Sequence, residues 1–114
     1  MSWYVLVEAN DSYSDSRWEL VAKIPVEGDR EAAVARAEEM SRTDTRGAFP
    51  DQQGRLVFRT SPTSWLVEQS RLMQLERSGA PETITEHMRV CVAELVMAKE
   101  PAPLDPPRKG RLRR

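Results

Sequence analysis

His87 and Cys91 stand four residues apart, and they are the only histidine and the only cysteine in the chain. A thiol next to an imidazole is a nucleophile with its base. On a helix the two would be neighbours across one turn. On a strand they would share a face but lie about 13 Å apart, out of reach of each other. The plainer reading makes Cys91 a buried core thiol and His87 a boundary residue, and no catalytic residue is assigned. With one of each, neither CxxC nor HExxH nor a histidine-rich metal cluster can be built within one chain. The five glycines are scattered singly, so GxGxxG and GxxxxGK[ST] loops are missing, as is a GxSxG elbow. These absences lead to the expectation of a non-enzymatic protein with no cofactor and no metal.

Three further groupings could do chemistry. Glu8, Asp11 and Asp15 crowd a stretch that also carries Asn10, Ser12, Ser14 and Ser16, oxygen donors of the kind that hold Ca²⁺. The spacing lacks the glycine and the terminal bidentate acid of an EF-hand loop, so an ordinary solvated turn is the reading adopted. Trp3, Trp18 and Trp65, with Arg17, Arg55 and Arg59 nearby, could form a base-stacking platform for single-stranded nucleic acid. A core role for the aromatics is preferred, with Trp3 and Trp18 on one face of adjacent strands. The last seven residues hold five cations: Arg108, Lys109, Arg111, Arg113 and Arg114. Without them, residues 1–107 carry 12 basic and 18 acidic groups, a formal charge of −6. Five cations on a flexible arm suffice to contact phosphates of a polyanion. The competing reading is a solubilising terminus that folds back on an acidic body.

Among the elements that would position these groups, the organising stretch is Thr83 to Met97. With period two, Ile84, Met88, Val90, Val92 and Val96 share one face, and Cys91, Ala93, Leu95 and Met97 the other. With period 3.6, Ile84, Met88, Cys91, Val92 and Leu95 form a helical stripe. The β-branched Thr83, Ile84, Thr85, Val90, Val92 and Val96 favour the strand, apolar on both faces and central in a sheet.

Trp3, Val5 and Val7 alternate with Tyr4, Leu6 and Glu8 in a first strand. Arg17 to Val26 alternates as a second, with Trp18, Leu20, Ala22, Ile24 and Val26 on one side, and the two form a hairpin. Pro25 puts the second strand at an edge or at its end. Asp29 is suited to cap a helix from Arg30 to about Arg42, with Ala33, Val34, Ala37 and Met40 on its inner face. Thr43 to Gly54 is a loop pinned by Phe49. Arg55 to Thr60 and Trp65 to Glu68 form a second hairpin around Ser61-Pro62-Thr63-Ser64. Ser70 to Ser78 reads either as a short helix or as an extension of the strand. Four prolines in Pro101–Pro107 preclude regular structure there.

At 114 residues and 13.0 kDa, with 39% hydrophobic and 31% charged residues, the chain has the length of one domain with a modest core. No run approaches the ~20 apolar residues of a membrane span, and the first residues lack a signal-peptide pattern. A single cysteine fits a reducing compartment, and the cytoplasm is the expected location.

The expected fold is α+β: residues 1–99 as a small domain, ββα-βββ, with an antiparallel sheet of about five strands and one main helix on one face. Residues 100–114 are then a proline-rich spacer and a disordered basic tail. One helix leaves a sheet face needing cover. The expected function is a protein-interaction or accessory module, self-associating as a dimer or docked on a partner protein, with no membrane contact. Its interface is expected at Trp65, Val67, Leu72, Met73 and Leu75. The alternative is a small nucleic-acid-associated protein that uses the tail on phosphates.

Overall fold

In the computed structural model, residues 2–10, 17–43, 54–74 and 79–105 are described. Their order is β1 (Ser2–Asn10), β2 (Trp18–Val26), α1 (Arg30–Thr43), β3 (Gly54–Ser61), β4 (Ser64–Gln74) and β5 (Pro81–Leu95). The five strands form one antiparallel sheet in the order β2-β1-β5-β4-β3. The organising stretch is therefore strand from Thr83 to Leu95, within the fifteen-residue β5 that is central in the sheet, while Val96 and Met97 lie beyond its end. Its β-branched residues fit the pleated surface, and its neighbours pair along both edges. The fold is α+β, a single small domain.

Register explains the two faces. Val5 lies opposite both Ile24 and Val92, and Val7 opposite both Ala22 and Val90. Val90 in turn faces Trp65, and Met88 faces Val67. This alternate set is one side of the sheet, and α1 covers it with Ala33, Ala37 and Met40. Ala33 and Ala37 are fully buried, and their single methyls let the helix axis approach the valine surface closely.

The helix starts where its chemistry says it should. Asp29 accepts a hydrogen bond from the Ala32 amide at 2.9 Å, satisfying a donor that the first turn leaves orphaned. Gly28 supplies the positive φ of 113° needed to turn from β2 into that cap. At the other end the Arg55 guanidinium donates to the Ser41 carbonyl at 2.8 Å, so a strand side chain satisfies a C-terminal acceptor of α1.

One expectation needs correction: β2 does not keep one face throughout. The ladder slips between Val7 and Glu8, so Ala22 pairs with Val7 while Leu20 pairs with Glu8, leaving Val21 as the extra residue. A bulge of this kind reverses the side-chain alternation. Ala22, Ile24 and Val26 face the helix, but Leu20 and Trp18 emerge on the opposite side. Trp3 and Trp18 thus lie on different faces. Of the two readings of the stretch after Glu68, the strand holds for Arg71 to Gln74, which continue β4 by pairing with Ile84, Thr83, Glu82 and Pro81. The expected loop at Phe49, the acid-rich turn at Asp11 and Asp15, and the basic tail lie outside the described residues. Among the described residues no helix is long and apolar enough to cross a membrane.

Candidate functional site: the open sheet face

The side of the sheet opposite α1 carries no second layer among the described residues. Strand register places Tyr4, Leu6, Glu8 and Asn10 of β1 there, beside Ala93, Cys91, Arg89 and His87 of β5. Leu66 and Glu68 of β4, then Phe58 and Leu56 of β3, continue the same rows. Leu20, Leu56, Phe58 and Leu72 are exposed there, whereas Leu6 and Leu66 are half-buried by their neighbours.

Glu8 and Glu68 on this face each meet a β5 side chain across strands. Arg89 reaches Glu8 with Nε to Oε1 at 3.5 Å, and its guanidinium carbon stacks 3.8 Å from the Trp18 ring centre. His87 Nε2 lies 3.1 Å from Glu68 Oε1. Between them, Glu8, Trp18, Ser64, Leu66, Arg89 and Cys91 line a shallow depression of about 480 Å³.

The residues with reactive potential are not assembled for reaction. His87 and Cys91 sit on the same face of one strand, four residues apart, and the imidazole is engaged by Glu68 rather than by the thiol. Burial pushes the Cys91 thiol above its ordinary pKa, Glu8 adds to the effect, and Arg89 partly offsets it. A thiol held protonated in this way is a poor nucleophile at neutral pH. Among the described residues no three of His, Cys, Asp or Glu converge on a point where a metal could be held.

The residues expected at an interface are dispersed. Trp65 and Val67 face α1 and are 3% and 0% exposed, so they form the core instead of a surface. Leu72 is exposed on the open face, and Met73, one residue on, points to the helix side, opposite Glu82. Leu75 lies outside the described residues. Consecutive strand residues alternate sides, so a set drawn from both parities could not have formed one patch. Leu56, Phe58 and Leu66, which the parity of β3 and β4 places together, make up the apolar surface there instead. Arg55 and Arg59 also lie on the helix side, where Arg59 stacks over Trp65 at 5.4 Å from the ring centre. They do not share a platform with Trp18.

No known protein family, no curated protein and no solved structure matches this chain.

Proposed function

We propose that the protein is a non-enzymatic interaction module that docks through the open face of its sheet onto a second copy of itself. The observation that carries this reading is the uncovered apolar set Leu6, Leu20, Leu56, Phe58 and Leu66 on the face opposite the helix. Large exposed apolar patches on a soluble chain mark contact surfaces.

Size and charge favour a like partner. Five strands about 4.8 Å apart and 8 to 15 residues long give a face on the order of 800 Å², the size that each partner buries in a stable interface. The acids of this face already have basic neighbours, Glu8 with Arg89 and Glu68 with His87. The Arg89 guanidinium thus offsets the charge that Glu8 would bring to such a contact.

Sedimentation velocity across a concentration series tests the reading, with the wild type beside Leu66→Glu and Leu6→Glu. Self-association weakened in both variants, with unchanged circular dichroism, is the expected result. Variants that associate as the wild type does would remove the open face from consideration.

A further inference from the structure

We infer that the outer edge of β3 is a strand-acceptor site, and that its occupant is the segment Glu94–Ala98 of a second copy of this chain. The inference does not depend on the open-face reading, because it concerns a different surface.

The two edges of the sheet are built differently. β2 carries Pro25, Lys23 and the bulge at Val21, devices that discourage another strand from adding. β3, with the sequence GRLVFRTS, has no proline, lysine or acid. Three consecutive residues there, Leu56, Val57 and Phe58, are exposed, and a second exposed apolar triplet, Leu95-Val96-Met97, begins at the last residue of β5. All six side chains are between 37% and 86% exposed. Val96 to Glu100 enter no ladder among the described residues, and Pro101 then ends any strand they could form.

The triplets match residue by residue. In an antiparallel pairing that sets Val96 opposite Val57, Leu95 meets Phe58 and Met97 meets Leu56. The same register sets Glu94 opposite Arg59. Neither has a partner of opposite charge among the described residues, although Arg59 donates to the Ser61 and Pro62 carbonyls. Sidedness agrees as well: Glu94 belongs to the helix side of its sheet, as do Val57 and Arg59, while Leu95, Leu56 and Phe58 belong to the open side, and continuing the alternation of β5 would put Val96 with the first set and Met97 with the second. Cross-strand apolar and opposite-charge pairs are the unit of sheet stabilisation, and main-chain bonds to an open edge are a known route to affinity.

The pairing must occur between chains. β4 separates β5 from β3, and β3 runs parallel to β5. The Val92 amide bonds to the Thr63 carbonyl, so the β3–β4 turn sits beside Val92. Residues from Leu95 onward continue past that turn, away from their own β3. An antiparallel approach to the edge is open only to another copy.

Sedimentation velocity of the full chain tests the assignment with Val57→Lys and Val96→Asp, both remote from the open face. Each is expected to weaken association at least tenfold. Arg59→Glu and Glu94→Arg should each weaken it, and the two together should restore it, a rescue that loss of folding cannot imitate. Leu66→Glu is expected to leave this charge-swap rescue intact. Wild-type association in Val57→Lys and Val96→Asp, or a wild type that stays monomeric throughout, overturns the inference. Dissociation by Leu66→Glu alone would leave the open-face reading standing without it, and the converse pattern would do the reverse.

Discussion

Arg89 on β5 stacks on Trp18 of β2, with its guanidinium carbon 3.8 Å from the ring centre, although β1 lies between their strands. The same guanidinium reaches Glu8 on that intervening strand. One side chain thus ties together three strands on the open face. The contact exists only because the bulge at Val21 turns Trp18 out of the core side.

A double-mutant cycle measures that tie. Trp18→Leu and Arg89→Met, each followed by urea denaturation, are expected to show a coupling of about 0.5–1 kcal/mol, the range for a partly exposed cation–π pair. Additive effects would mean that the stacking contributes nothing to stability.

Cys91 gives a pH prediction with a definite sign. Its pKa is raised in the folded chain, chiefly by burial and then by Glu8. The native state therefore holds this proton more tightly than the unfolded state. The stabilisation is complete below the unfolded thiol pKa of about 8.5 and is lost as pH rises through the folded value. Alkylation by iodoacetamide at pH 7.5 should be slower for the native chain than for the urea-unfolded chain. Glu8→Gln should speed the native reaction by removing a charge that disfavours the thiolate. A native rate equal to the unfolded rate at this pH contradicts the assignment.

The small inner face of α1 gives a packing prediction. Ala37 is fully buried against the valine surface of β1 and β5. Ala37→Leu adds volume where no space remains, and a loss of about 1–3 kcal/mol is expected from overpacking. Ala35→Leu, on the exposed side of the same helix, serves as the control and should change stability little.

The Asp29 cap is worth a separate measurement. Asp29→Ala removes the acceptor for the Ala32 amide and should cost about 1 kcal/mol. Asp29→Ser keeps an acceptor oxygen and should retain most of the stability in thermal melts followed by circular dichroism.

Much of this architecture can be read from side-chain alternation alone. Trp3, Val5 and Val7 declare one buried face, and β5 is marked as central by its apolar residues on both sides. The helix is legible because cap, composition and inner stripe agree at Asp29, Ala33, Ala37 and Met40. The bulge at Val21 is not legible, since one additional residue between alternating ones leaves the pattern Trp18, Leu20, Ala22 looking continuous. The length of β4 is hidden for a different reason: Arg71 to Gln74 become strand by pairing with Thr83 and its neighbours, a partner distant in the chain. The same dependence explains the interface residues. Trp65 and Leu66 are equally apolar, and only knowing which side the helix occupies tells core from surface.

Pro25 carries a consequence for assembly. If β3 accepts a strand from another copy, the far side of the sheet still offers a rim on which a further strand would have to lay its amides against a residue without one. Addition at the β3 rim thus has no counterpart at the β2 rim, and each copy offers one acceptor edge, not two.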